Sequence, residues 1–184
     1  MNENFISVDI GLKGGFAMVD EAIPMPVCKV EVKPARYVQD LLNGKKQYYK
    51  SGKNKGEVKM KQKSPAKYEE KLDVSTIYQH FTDVEVVIFE SPGTSMGNAA
   101  RSTATTNRNF GKLLALAELA ECQIITVAPH KWKKDLGVTK DKLECVTLAE
   151  KLSGLSFRTA RGALIDGPAE AWLIGYWYLN HYKE

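Results

Sequence analysis

The chain has 184 residues, 43% of them hydrophobic, and a formal net charge of +4, a balance that supports one core of ordinary size in a single domain and is mildly basic. No apolar run approaches the ~20 residues that a membrane-crossing helix needs. Three widely spaced cysteines, Cys28, Cys122 and Cys145, form no CxxC pair and face no histidine-rich partner set; this argues against structural zinc and for reduced thiols in a cytoplasmic protein.

Phe5-Ile-Ser-Val-Asp-Ile10 is an almost uninterrupted apolar run, the pattern of a strand buried on both faces. It begins after only four residues, so no signal peptide is expected. Asp9 sits near its end, where a bare buried carboxylate costs several kcal/mol unless it meets a metal, a cation or hydrogen-bond donors. Gly11, Gly14 and Gly15 predict a tight turn, and Phe16–Val19 a returning strand. Pro24 and Pro26 mark a second turn, and Val27–Val32 alternates with period two as a third strand.

Residues 43–67 then carry nine lysines and one acid, Glu57. Two readings stand side by side: a solvated loop, or a basic arm along phosphates with tyrosines that stack on bases. The second makes Lys45, Lys46, Tyr48, Tyr49, Lys53 and Lys55 DNA-binding residues. Tyr68, Leu72, Ile77 and Phe81 fall roughly on one helical face and predict a helix over 67–81. Val84–Glu90 is the next buried strand. A polar stretch with Arg101 and Arg108, both candidate DNA-binding residues, leads into a helix with an apolar face through Leu113, Leu116 and Ala117. Gln123–Val127 is another buried strand. Pro129 opens the helical turn that carries His130, Lys131, Trp132, Lys133 and Lys134. Thr139–Leu152 is amphipathic, with Thr139 as its opening residue. The last helix runs from Asp166 to His181, and Pro168 is tolerated in its first turn. Trp132, Trp172 and Trp177 read as packing residues.

This order predicts an α/β protein with a mixed sheet: an antiparallel hairpin first, then parallel strands joined by crossover helices. Right-handed crossovers would place Val84–Phe89 beside the first strand and bring Asp9 and Glu90 together. Asp166 and Glu170, four apart, share one face at the start of an otherwise apolar helix. Singly, each acid has an ordinary explanation: a turn cap, an ion pair with Arg101, a helix N-terminal charge. Four together repel and raise one another's pKa unless a cation compensates. Hard oxygen donors suit Mg²⁺ or Mn²⁺, and two such ions about 4 Å apart can hydrolyse a phosphodiester.

Four stretches in this order resemble the RuvC-type Holliday junction resolvases of the ribonuclease-H-like superfamily, above all their small phage-encoded relatives. They are Ser7-Val-Asp9-Ile-Gly11, Val87-Ile-Phe-Glu90-Ser-Pro92, Val127-Ala-Pro129-His-Lys-Trp132-Lys133 and Ile165-Asp166-Gly-Pro-Ala-Glu170-Ala. The resemblance covers nearly the whole chain apart from the lysine-rich stretch. It implies a ribonuclease-H-like fold with a five-stranded mixed sheet. It also implies a homodimeric endonuclease, dependent on two Mg²⁺ or Mn²⁺ ions and on no organic cofactor, that nicks a four-way DNA junction symmetrically. Asp9, Glu90, Asp166 and Glu170 would be its catalytic, metal-binding acids. Residues 98–121 would carry the dimer interface, and Lys131, Lys133, Lys134, Lys140 and Lys142 would lie near DNA.

Two departures stand out. Bacterial members space the helical acids three apart as Asp-x-x-Asp. Gly93 occupies the neighbourhood where some of them carry an aromatic wedge, which leaves Tyr48 or Tyr49 to open a junction. Other readings of the same sheet and acids are a broader branched-DNA or flap nuclease, a ribonuclease H, or a non-catalytic DNA-binding module. An actin-like phosphotransferase, which also opens on Asp-x-Gly and a hairpin, needs a second domain that 184 residues do not provide.

Overall fold

The computed structural model describes residues 4–31, 52, 53, 55, 56, 68–93 and 100–182. Its strands are β1 (Phe5–Asp9), β2 (Gly15–Ala17), β3 (Ala22–Pro24), β4 (Val27–Glu31), β5 (Tyr68–Leu72), β6 (Val86–Glu90) and β7 (Gln123–Val127). Its helices are α1 (Val74–Thr82), α2 (Ala100–Leu119), α3 (Pro129–Asp135), α4 (Lys142–Ser153) and α5 (Asp166–His181).

Five strands form one mixed sheet in the order β3-β2-β1-β6-β7. β1 runs antiparallel to β2 and parallel to β6, and β6 is parallel to β7. This is the α/β sheet expected from the element order, hairpin first. Side chains alternate strictly across it. Phe5, Val86, Ile88, Ile125 and Val127 face one core layer with Trp132, Cys145, Leu173 and Ile174. Ile6, Val8, Val87 and Phe89 face the other with Ile77, Phe81, Leu113 and Ala117. A strand covered on both sides has little polar face to show, which is why β1 and β6 read as near-continuous apolar runs.

Two elements depart from the sequence reading. The third strand of the main sheet is not Val27–Val32 but Ala22–Pro24, paired antiparallel with β2. Proline is tolerated there because β3 is an edge strand with no further ladder to donate to. Val27–Glu31 instead joins Tyr68–Leu72 in a separate two-stranded sheet. Residues 68–72 are therefore a strand, and the helix expected over 67–81 is confined to Val74–Thr82. Asp73 caps it, its carboxylate accepting from the Thr76 amide at 3.3 Å. Asp141, rather than Thr139, caps α4, accepting from the Leu143 amide at 2.8 Å. The Thr139 hydroxyl donates to Glu144 at 2.6 Å.

The chain divides into two compact units, Met1–Val27 with Leu72–Glu184, and Cys28–Lys71. Among the described residues no helix is long and apolar enough to cross a membrane.

Candidate functional site

The four acids meet at one end of the sheet in the first unit. Asp9 is the last residue of β1 and Glu90 the last of β6. Val8 pairs with Phe89, so the next step along both parallel strands sets Asp9 beside Glu90. Parity then fixes their face. Asp9 alternates with Phe5 and Ser7, and Glu90 with Val86 and Ile88, so both carboxylates project towards the layer that holds α5.

α5 supplies the other two acids. It starts at Asp166 and is mostly buried from Gly167 to Tyr178, through Trp172, Leu173, Ile174 and Trp177 among others, before its exposed last turn. Its first turn is pressed against the β1–β2 hairpin, with Gly14 bridged to Gly167. A Cβ on Gly15 would sit 2.6 Å from the Cα of Pro168, and one on Gly167 would sit 2.2 Å from the Lys13 carbonyl oxygen. Only glycine permits that approach, so the hairpin glycines position the helix as well as turn the chain. Further along, the Ser7 hydroxyl donates to the Ala171 carbonyl at 2.7 Å, tying β1 to α5 within the same layer.

The electrostatics follow from this crowding. Asp9 is pushed up from 3.8 to about 8 by burial and then by the charges of Glu90, Glu170 and Asp166, against a smaller opposing pull from Lys133. Burial raises Glu90 as well; the Trp132 hydrogen bond opposes that rise and Glu170 adds to it. Lysines answer part of the negative charge. Lys133 Nζ lies 3.1 Å from Glu170 Oε1, and Lys142 pairs with Asp166. Burial would lower Lys133, but the charge and bond of Glu170 outweigh it and raise it. The bond from Asp166 raises Lys142. Cys145, buried beside Glu170 and Lys133, is pushed up to about 11, first by burial and then by Glu170; it stays a neutral thiol.

The donor chemistry, four carboxylates in a strongly anionic corner, suits a hard divalent cation. As they stand, with Glu170 and Asp166 turned to lysines, no three Asp, Glu, His or Cys side chains among the described residues are disposed to hold one ion. The acids are gathered, and two of them are occupied by ammonium groups that a divalent ion would have to displace.

The expected DNA-binding residues are dispersed. Lys45, Lys46, Tyr48 and Tyr49 lie outside the described residues. Lys53 and Lys55 are exposed in the second unit. Arg101 is described only in its backbone, in the first turn of α2, and Arg108 is exposed further along that helix. Lys134 is exposed on α3. Lys131 lies 2.7 Å from Asp135 and 5.8 Å from the centroid of the Trp177 ring. Lys133 is turned inward to the acids.

One site residue escaped the sequence reading. The Trp132 indole N–H donates to Glu90 Oε1 at 2.9 Å. In sequence, Trp132 reads as packing together with Trp172 and Trp177, and its place in the third family-like stretch assigns it no partner. Only the pairing of Glu90 with Val127 puts the start of α3 beside Glu90.

No protein-family model matches the chain, and no curated protein does. Among solved structures it is similar to "Thermus thermophilus RuvC structure", at 13% identity and a TM-score of 0.45 over 95% of this chain and 94% of that one. It is also similar to "T. thermophilus RuvC in complex with Holliday junction substrate", at 12% identity and a TM-score of 0.48 over 97% of this chain and 95% of that one. Neither likeness bears on what this chain acts on.

Proposed function

We propose that this chain is a divalent-metal-dependent endonuclease for branched DNA, acting as a homodimer that resolves four-way junctions by symmetric paired nicks. The observation that carries the reading is the convergence of four acids at one sheet end, Asp9 and Glu90 at the ends of parallel neighbours and Asp166 and Glu170 in the first turns of α5, crowded enough with burial to raise the Asp9 carboxyl. Such a charge concentration costs stability, and groups perturbed in this way cluster at functional sites. The carboxyl ends of parallel strands are also where open α/β sheets place their ligands. The substrate class rests on the four motifs, which occur in the order found in junction resolvases.

In this reading Asp9, Glu90, Asp166 and Glu170 are the residues that would hold Mg²⁺ or Mn²⁺. Bound there, the ions supply a water acidified towards neutrality and a clamp on the leaving oxygen. The chain's own residues do the rest. Burial of Asp9 and Glu90 holds their carboxylates at fixed strand ends. Lys133 and Lys142 hold Glu170 and Asp166 in place, and their ammonium groups would answer the charge of an incoming phosphate. A four-way junction has two-fold symmetry, which a C2 dimer matches, with residues 98–121 as the proposed interface.

The test is cleavage of a labelled synthetic four-way junction in Mg²⁺ or Mn²⁺, beside linear duplex, a flap and an RNA–DNA hybrid. Paired symmetric nicks in the junction alone are expected. Asp9→Asn should abolish cutting and leave junction binding intact, because it removes metal affinity and not the basic surface. Cutting of flaps as well would broaden the substrate class. Cutting of the hybrid alone would make it a ribonuclease H, and binding without cutting in either metal would overturn the nuclease reading.

A further inference from the structure

We infer that Trp132 is a positioning residue for Glu90: its indole N–H fixes Glu90 Oε1 and leaves Oε2 as the oxygen offered to a cation. The inference rests on the metal site proposed above and adds to it a residue outside the carboxylate set.

The geometry is specific. Trp132 is fully buried, and its N–H lies 2.9 Å from Oε1 across the junction between α3 and β6. An indole N–H donates and cannot accept, so the bond has one sense, with Glu90 Oε1 as the acceptor. The ring belongs to the core layer that holds Ile88, Val127 and the buried residues of α5, and its full burial limits how far the donor can follow a carboxylate that rotates away. The same ring lies 4.8 Å from the ammonium of Lys133, whose partner is Glu170. One buried side chain thus touches both an acid of the sheet and the counter-ion of an acid on α5. The other two tryptophans direct their N–H groups elsewhere, Trp172 to the Val19 carbonyl at 3.0 Å and Trp177 to Asp135 at 2.8 Å. Groups that orient metal ligands in this way typically change metal affinity by ten- to a hundred-fold when removed.

Trp132→Phe deletes the donor and keeps an aromatic ring in the core. Mn²⁺ binding to the full-length protein, without DNA, is read from the electron paramagnetic resonance signal of the free ion. The Mn²⁺ dependence of junction cleavage is followed in parallel. The expected result is an affinity about ten-fold weaker, with cleavage recovering as Mn²⁺ is raised to saturation. A packing role alone would lower the unfolding midpoint and leave the affinity of the folded protein unchanged, and that result overturns the inference while the metal site stands. Mn²⁺ binding that is the same in wild type and Asp9→Asn would remove the metal site, and the inference with it. Wild-type protein gives a second reading should the variant fold poorly. Of its three indole N–H resonances, the one moved by Glu90→Gln should also be the one moved by Mg²⁺. If Glu90→Gln moves none, or Mg²⁺ moves none, Trp132 does not position Glu90.

Discussion

Asp9 concentrates the chemistry of the corner into one titration. In the folded chain it keeps its proton to about pH 8, whereas its ordinary value is 3.8. Between these values the folded state binds more protons than the unfolded state, so stability falls as pH rises through that window. Thermal melts of the metal-free protein should show the midpoint dropping from about pH 4 to about pH 8. Asp9→Asn should flatten the slope, and Mg²⁺ should restore the midpoint most at the alkaline end, where Asp9 is ionised. A second residue-scale prediction concerns Gly15. A methyl group there meets backbone, the Cα of Pro168 at 2.6 Å, which cannot rotate aside as a side chain would. Gly15→Ala should cost about 1–3 kcal/mol by denaturant unfolding. It should also depress cleavage, since the strain is relieved by moving α5 and its acids away from Asp9.

Each element brings its acid to the corner for a separate physical reason. β1 and β6 are parallel neighbours whose side chains alternate, so a slip of one residue in either would turn its carboxylate into the opposite layer among Ile6, Val8 and Phe89. α5 needs its apolar length to lie flat on the sheet, and that packing leaves its acidic first turn at the sheet end. α4 carries Lys142 directly after its cap Asp141. Asp141→Ala removes the acceptor for the Leu143 amide and should cost about 1 kcal/mol in a denaturant melt; because Lys142 is the next residue, the same change should also loosen the ion pair with Asp166. The elements easiest to read in the sequence were the ones buried on both faces, Phe5–Asp9, Val86–Glu90 and Gln123–Val127, together with α5. Residues 68–72 were misread because Tyr68 and Leu72 are four apart, a helical spacing. Four of the five residues of that strand are exposed, so it has no buried face to impose a period of two. Ala22–Pro24 was missed because three residues with a proline carry no strand signal, and only β2 makes them one.

At the scale of the molecule, charge is uneven and the proposed partner is a polyanion. Nine lysines fall in residues 43–67 of a chain whose net charge is only +4. If that stretch contacts phosphates, each contact releases counter-ions and steepens the dependence of binding on salt. Deleting Lys45–Lys63 should therefore weaken junction binding and flatten the plot of log affinity against log salt. An unchanged slope would remove the arm from the DNA interface. Light scattering of the intact protein should give the mass of a dimer, as symmetric nicking of a two-fold substrate requires. A monomeric mass with and without junction DNA would separate cleavage from symmetry.

The sequence alone determined the sheet's character, the four acids and their positions at strand and helix ends, because burial on both faces writes itself into local composition and an acid inside such a run stands out. It also set the bounds of α5, since an acidic start followed by an apolar helix is a local pattern. Tertiary structure alone decided which short strand completes the sheet, and that the hairpin glycines admit α5 to within van der Waals contact. It alone turned Lys133 and Lys142 onto acids and Trp132 onto Glu90. These are contacts between residues tens of positions apart, set by strand pairing and helix docking, and no local pattern of residue types encodes which buried indole will find which carboxylate.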